Sequence, residues 1–261
     1  MSSPPLPLTG RNRAAIVDTL RRLLPRLESV GGTTHVLPFG LDALDAHLPH
    51  GGLATGALHE VAPQQHGDTP AAFGFLVALL ARFHPTTRPL LLVASPRALA
   101  DHGRPHGHGL RQLGLDPARL ILVETRNDKQ ALWAMEEALR SRVPAAVAGA
   151  TARLDLKTSQ RLHLAAGDTG LPLVLLRPVL ADDASAAATR WRIGTAEAAR
   201  DRHGLITHTR WRARLERCRN GRSGDWLVEF DHAAYRFSLA APLADPALPR
   251  DAGAQLLRRA G

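Results

Sequence analysis

Four short stretches of this chain are apolar almost throughout rather than at alternate positions: Pro89 to Ala94 (PLLLVA), Arg119 to Glu124 (RLILVE), Pro144 to Ala150 (PAAVAGA) and Pro172 to Leu176 (PLVLL). A strand with one wet face alternates apolar and polar residues. A strand apolar on both sides needs cover on both faces, which is the condition inside a parallel sheet. Ala57 to Val61 reads as a further strand. Between these segments the period changes to that of helices: Ala71 to Phe83, a stretch with Leu132, Met135 and Leu139 on one face, and Leu156 to about Ala166. Asn127-Asp128 is placed to cap the second of these helices. Strands and helices in alternation predict an α/β fold with a mainly parallel sheet flanked by helices.

The texture changes after Pro178. Ala181 to Ala188 is a short loop of small and acidic residues. Thr189 to Ile193, Leu205 to Arg219 and Trp226 to Phe237 then alternate Trp, Val and Ile with Arg and Glu, which predicts antiparallel strands at the sheet edge toward the C-terminus. Arg219 to Gly224 reads as a turn. At the other end, residues 1–10 are proline-rich, and Arg11 to Ser29 has helical spacing. Leu20, Leu23, Leu24 and Leu27 form an apolar stripe there, with arginines on its flanks. Two readings stand side by side: a helix packed on its own domain, or a helix that docks on another chain. The expected organisation is an N-terminal tail and amphipathic helix over 1–35, a core over 36–240 and a loose tail over 241–261.

No apolar run approaches the ~20 residues needed to cross a bilayer, and the start has no secretory pattern, so a cytoplasmic location is expected. Cys218 is the single cysteine, which excludes an internal disulfide and a cysteine-based metal site. The formal net charge is +9, and of 33 basic residues only Lys129 and Lys157 are lysine. Such a charge draws a protein to polyanions, yet an arginine-rich, alanine-rich composition also follows from GC-rich coding.

The most informative stretch begins at Leu37, LPFGLDALDAHLPHGGLATGALHEV, and continues APQQHGDTPAAF. Gly40, Leu41, Leu44, Asp45, Gly51, Gly52, Leu53, Gly56 and Glu60 resemble the GLxxLD…GGLxxGxxxE entry to the core of RecA-like recombinases, and the likeness runs over about three quarters of the chain in the order of its elements. That resemblance implies a phosphate loop next. A working loop surrounds phosphate with backbone N–H groups and supplies a lysine and a Ser/Thr hydroxyl. Here Ala62, Pro63, Gly67, Asp68 and Thr69 occupy the segment, with Ala62 in place of the first glycine and Asp68 in place of the lysine. An anion beside a polyanion opposes nucleotide binding. Gly149 falls where a magnesium-holding aspartate is expected. Ser95-Pro96-Arg97 replaces the glutamate that activates water, and Arg177-Pro178 replaces the residues that sense the γ-phosphate. These departures predict no catalysis, no nucleotide cofactor and no metal.

The degenerate loop, the GALHE segment at Gly56 to Glu60 and a basic region from Trp211 through Trp226 together resemble the ImuA family, RecA-like accessory proteins of bacterial mutagenesis cassettes. The resemblance implies a non-enzymatic scaffold in SOS-induced, error-prone translesion synthesis. It also implies as partners an ImuB-like Y-family polymerase homologue and an error-prone replicative-type polymerase. RecA itself is a further candidate partner, weak DNA contact is another expectation, and no membrane association is expected. The stripe of Leu20, Leu23, Leu24 and Leu27 is the expected docking element.

Two alternatives remain at this level: a SulA-like division inhibitor, and a RecA-like ATPase whose lysine comes from elsewhere, Lys129 or Lys157. Arg210, Arg212, Arg214, Arg217, Arg219 and Arg222 read either as a phosphate-tracking stripe or as a solvated sheet face with tryptophan on the core side. Asp101, His102, His106 and His108 carry metal-binding side chains, but their Gly-, Arg- and Pro-rich setting reads as a loop without fixed geometry. Cys218 reads as a small core residue.

Overall fold

The chain divides into the units Met1–His35 and Val36–Gly261, and the computed structural model describes residues 35–83, 87–100, 103–179 and 183–240. The expected helix with Leu20, Leu23, Leu24 and Leu27, the tail from Ala241, and Asp101 and His102 lie outside the described residues.

The entry segment explains its own sequence pattern. After strand β1 (Val36–Leu37) comes helix α1 (Asp42–Asp45). The Asp45 carboxylate accepts from the backbone N–H groups of Phe39, Gly40 and Leu41 at 2.7, 2.8 and 3.0 Å. Gly40 has φ +75°, so the turn needs both the glycine and the aspartate. Strand β2 (Leu53–Ala54) returns antiparallel to β1. A Cβ on Gly52 would lie 2.7 Å from the carbonyl carbon of Leu37, which leaves room for glycine alone.

From here strands and helices alternate: β3 (Leu58–Pro63), α2 (Thr69–Arg82), β4 (Leu90–Ala94), the short α3 (Pro96–Leu99) and α4 (Gly107–Gln112), β5 (Leu120–Glu124), α5 (Asp128–Ser141), β6 (Ala146–Ala150), α6 (Leu156–Thr169) and β7 (Leu173–Leu176). Side chains fix the helix starts. Asn127 accepts from the N–H of Gln130 at 3.0 Å, and Asp155 from that of Thr158 at 2.7 Å. Hydrogen bonds from the Thr158 N–H and hydroxyl hold the Asp155 carboxyl below its ordinary range. Strands β8 (Thr189–Thr195), β9 (Ala199–Arg200), β10 (Ile206–Cys218), β11 (Gly224–Asp231) and β12 (Arg236–Leu239) complete a ten-stranded sheet. Its order is β12-β11-β10-β8-β3-β7-β6-β4-β5, with β9 alongside β10.

The six strands from β8 to β5 are parallel, and β9 to β12 are antiparallel. The expectation of an antiparallel C-terminal region therefore needs two corrections. β8 runs parallel to β3 and only its other edge is antiparallel. The span Trp226 to Phe237 is two strands, broken by a turn in which Asp231 accepts from the N–H groups of Ala233 and Ala234. Within the histidine segment one part is corrected from loop to helix: His106 precedes α4 and His108 lies within it.

Each face of the parallel sheet has its own core. On one, Val61, Leu92, Ala94, Ala148, Ala150 and Leu176 pack with Leu76 and Leu79 of α2. On the other, Leu58, Val93, Val147 and Leu175 pack with Met135 and Leu139 of α5 and Leu162 of α6. The first face continues onto the antiparallel strands as an aromatic cluster in which Phe75 meets Phe39, Trp191, Trp211 and Phe237 at ring separations of 6.2, 5.9, 5.8 and 5.7 Å. Cys218 packs partly against this core, and burial raises its thiol pKa.

Candidate functional site

The segment that resembles a phosphate loop lies between β3 and α2, but its geometry is different. Ala62 and Pro63 are still strand, buried within β3. The N–H of Gln64 continues the pairing by donating to the Ile193 carbonyl at 2.9 Å. A single 3-10 turn, His66–Asp68, then leads into Thr69 and α2. Asp68 is 3% exposed. Its Oδ1 accepts from the N–H of Thr195 at 2.9 Å and its Oδ2 from that of Gln65 at 3.2 Å. The N–H of Asp68 donates to the Gln65 carbonyl at 3.0 Å. A phosphate cradle needs successive N–H groups turned toward a common centre. Here Pro63 has none, and those of Gln64, Gln65 and Asp68 have internal partners. Gly67 remains exposed. The carboxylate at the lysine position ties the loop to the end of β8.

Beside this turn, where the parallel strands end, lies a cavity of about 370 Å³. Ala94, Ala150 and Leu176, the last residues of β4, β6 and β7, line it together with Thr69, Pro70 and Phe73 of α2. Arg104 and His106 contribute to its wall, and Arg104 is held by Glu124 through two contacts of 2.5 Å. Three strand ends that face the loop thus carry methyl and isobutyl groups, and no Asp or Glu is among the residues lining the cavity. The side chains present do not fit a magnesium nucleotide, which needs hard oxygen ligands and a cation for the phosphates. Among the described residues no group of three or more His, Cys, Asp or Glu is placed to hold a metal ion.

Register corrects two of the sequence assignments. Gly149 points to the opposite face of the sheet, where an added Cβ would come within 2.2 Å of the Met135 methyl carbon. Ala150, not Gly149, faces the cavity. Arg177 also lies away from the cavity. It is buried with Arg190 around Glu60: Arg190 Nε is 2.8 Å from Glu60 Oε2, and Arg177 Nε makes a longer ion contact of 3.8 Å with Oε1. Arg177 reaches Asp183 Oδ2 at 3.6 Å, and Arg190 donates to the Asp183 carbonyl at 2.7 Å. Burial lowers the Arg177 pKa, against the opposing pull of Glu60 and Asp183. The cluster fixes the segment after β7 against the sheet. Its partners are up to 130 positions apart, so no local sequence signal marks it.

Lys129 and Lys157 lie near the starts of α5 and α6, which cover the face opposite α2, and both are exposed. Neither is on the loop's side of the sheet. In the basic strand region Arg210, Arg212 and Arg214 do share one face, with Trp211, Ala213 and Leu215 buried on the other. Most of these charges are engaged. Arg210 pairs with Glu229 at 2.5 Å and Arg214 with Asp225 at 3.7 Å. Arg217 and Arg222 donate to the carbonyls of Ala187 and Ala46 at 3.0 and 3.1 Å. Arg219 has a partner as well. Arg212 is exposed.

No protein-family model matches the chain. Protein ImuA of Caulobacter vibrioides, in the sequences of two strains, NA1000 / CB15N and ATCC 19089 / CIP 103742 / CB 15, is 37% identical to it over 232 residues. The match covers 81% of this chain and 91% of that protein. The chain belongs to the ImuA family. A shared length of this extent takes in most of the sheet, so the ImuA likeness concerns the whole architecture and not an isolated motif.

Proposed function

We propose that this ImuA-family chain is a non-catalytic accessory protein of error-prone translesion DNA synthesis, acting through contacts with polymerases and not through nucleotide turnover. The observation that carries the non-catalytic part is Asp68: a buried carboxylate, bonded to two backbone N–H groups, stands where a phosphate-binding cation is required. The apolar ends of β4, β6 and β7 support the same reading. Family membership supports the place in mutagenesis. Among the described residues no helix is long and apolar enough to cross a membrane, and the proposed site of action is the cytoplasm.

The proposed partners are an ImuB-like Y-family polymerase homologue and an error-prone replicative-type polymerase, with Leu20, Leu23, Leu24 and Leu27 as the docking stripe. The decisive experiment is affinity capture of the tagged full chain from DNA-damaged cells, with partners identified by mass spectrometry. Polymerase components are expected in the wild-type capture and are expected to be lost with Leu20→Ala/Leu24→Ala. Recovery of a cell-division protein without any polymerase would overturn the proposal.

A further inference from the structure

Three adjacent parallel strands, β5, β4 and β6, are each followed within three residues by an arginine: Arg126, Arg97 and Arg153. All three are exposed and make no side-chain hydrogen bond or ion pair among the described residues. This separates them from the arginines of β10, which are mostly paired. The nearby carboxylates have partners, although one oxygen of Asp128, Oδ1, is buried without a hydrogen bond. Glu124 holds Arg104, Asp155 caps α6, and Asp128 accepts from the N–H of Arg153 at 3.1 Å. Lys129, exposed in the first turn of α5, adds a further cation at this edge. The starts of α5 and α6 point the same way and contribute positive partial charge.

One turn along α5 from Lys129, at the i, i+4 spacing that puts two side chains on one face, is Trp133. It is 62% exposed, whereas Trp191 and Trp211 are buried at 0% and 3%. An indole so exposed has a flat face free for stacking. It lies about 6 Å along the helix from Lys129. Adjacent strands are about 4.8 Å apart, so the row spans about 10 Å.

We propose that this edge, formed by Arg97, Arg126, Arg153, Lys129 and Trp133, binds single-stranded nucleic acid without sequence preference. The cations follow the phosphates and a base stacks on Trp133. A row of uncommitted cations with an exposed aromatic is the combination that a flexible strand with accessible bases requires. A duplex, with its bases stacked internally, would use the cations alone. The inference rests on the reading of the chain as a protein that works at DNA, and it moves the contact from the β10 arginines to the opposite end of the sheet.

The test is fluorescence anisotropy of a labelled oligo-dT with the full-length chain across a salt series. Trp133→Ala is expected to weaken binding about tenfold with the salt dependence retained. Arg97→Ala/Arg126→Ala/Arg153→Ala is expected to lower the slope of log affinity against log salt by about 2. Arg210→Ala/Arg214→Ala is expected to leave both unchanged. Wild-type affinity and slope in both the Trp133 and triple-arginine variants would overturn the proposal. So would loss of polymerase capture by Trp133→Ala with oligo-dT binding intact, which would make the indole a protein anchor. Because oligonucleotide binding is read on the isolated chain, failure here is distinct from failure to recover polymerases from cells.

Discussion

At the scale of single residues, two buried groups tie stability to chemistry that the sequence motif conceals. His59 is 1% exposed, and its ring lies 2.8 Å from both the Thr189 hydroxyl and the Ala54 carbonyl. Burial is the main cause that lowers its pKa to about 4 from the ordinary 6.5, against a smaller upward pull from Ala54. Between those values the unfolded chain binds more protons than the folded one. The stabilisation is therefore present above pH 6.5 and is lost as pH falls toward 4, in total about 3 kcal/mol. In urea melts, the advantage of wild type over His59→Gln is expected to shrink steadily from near pH 7 to near pH 5. Asp68 gives a second expectation. Asp68→Lys supplies the cation that a phosphate loop needs but removes the acceptor for Thr195 and Gln65 and places a charge in a 3% exposed position. It is expected to cost roughly 3–5 kcal/mol in chemical denaturation and to give no ATP binding by calorimetry.

At the scale of elements, the uniformly apolar strands and the capped helices were legible because burial on two faces and N-cap chemistry are local properties. β4, β6 and β7 lie inside the segments marked by their apolar runs, and Asn127 caps α5. What local pattern cannot carry is direction and facing. β8 looks like its antiparallel neighbours in sequence because its pairing with β3 depends on residues far away. Gly149 and Ala150 are equally small, and only register tells which faces the loop. Gly149→Asp, which adds the carboxylate that the resemblance implies for a metal ligand, instead pushes it against Met135 and Leu175. It is expected to lower stability by 3 kcal/mol or more, on the order of a buried unpaired charge, and to be visible as a lower Tm. Of the candidate site, the presence of Asp68 where the resemblance implies a lysine was readable. The use made of Asp68 and Glu60 was not, since their partners Thr195 and Arg190 come from a strand more than a hundred positions later.

At the scale of the whole molecule, the parallel and antiparallel parts of the sheet are joined by one aromatic cluster. Phe75 of α2 touches rings from the entry turn, β8, β10 and β12. Phe75→Ala is expected to cost about 3–5 kcal/mol and to unfold both parts in a single transition, checked by comparing near-UV and far-UV circular dichroism melts. The closed turn around Asp68 has a consequence for how such a protein can change over generations. A nucleotide site built on this loop would require a cation at 68, an acid at 150 and polar groups at 94 and 176. The first step removes a structural tether, and the others bury polar atoms in an apolar wall. Each of these changes is expected to lower stability, and none alone completes a nucleotide site, so selection has no gradient toward one. A nucleotide site on this loop thus lies across a stability valley that single substitutions do not cross.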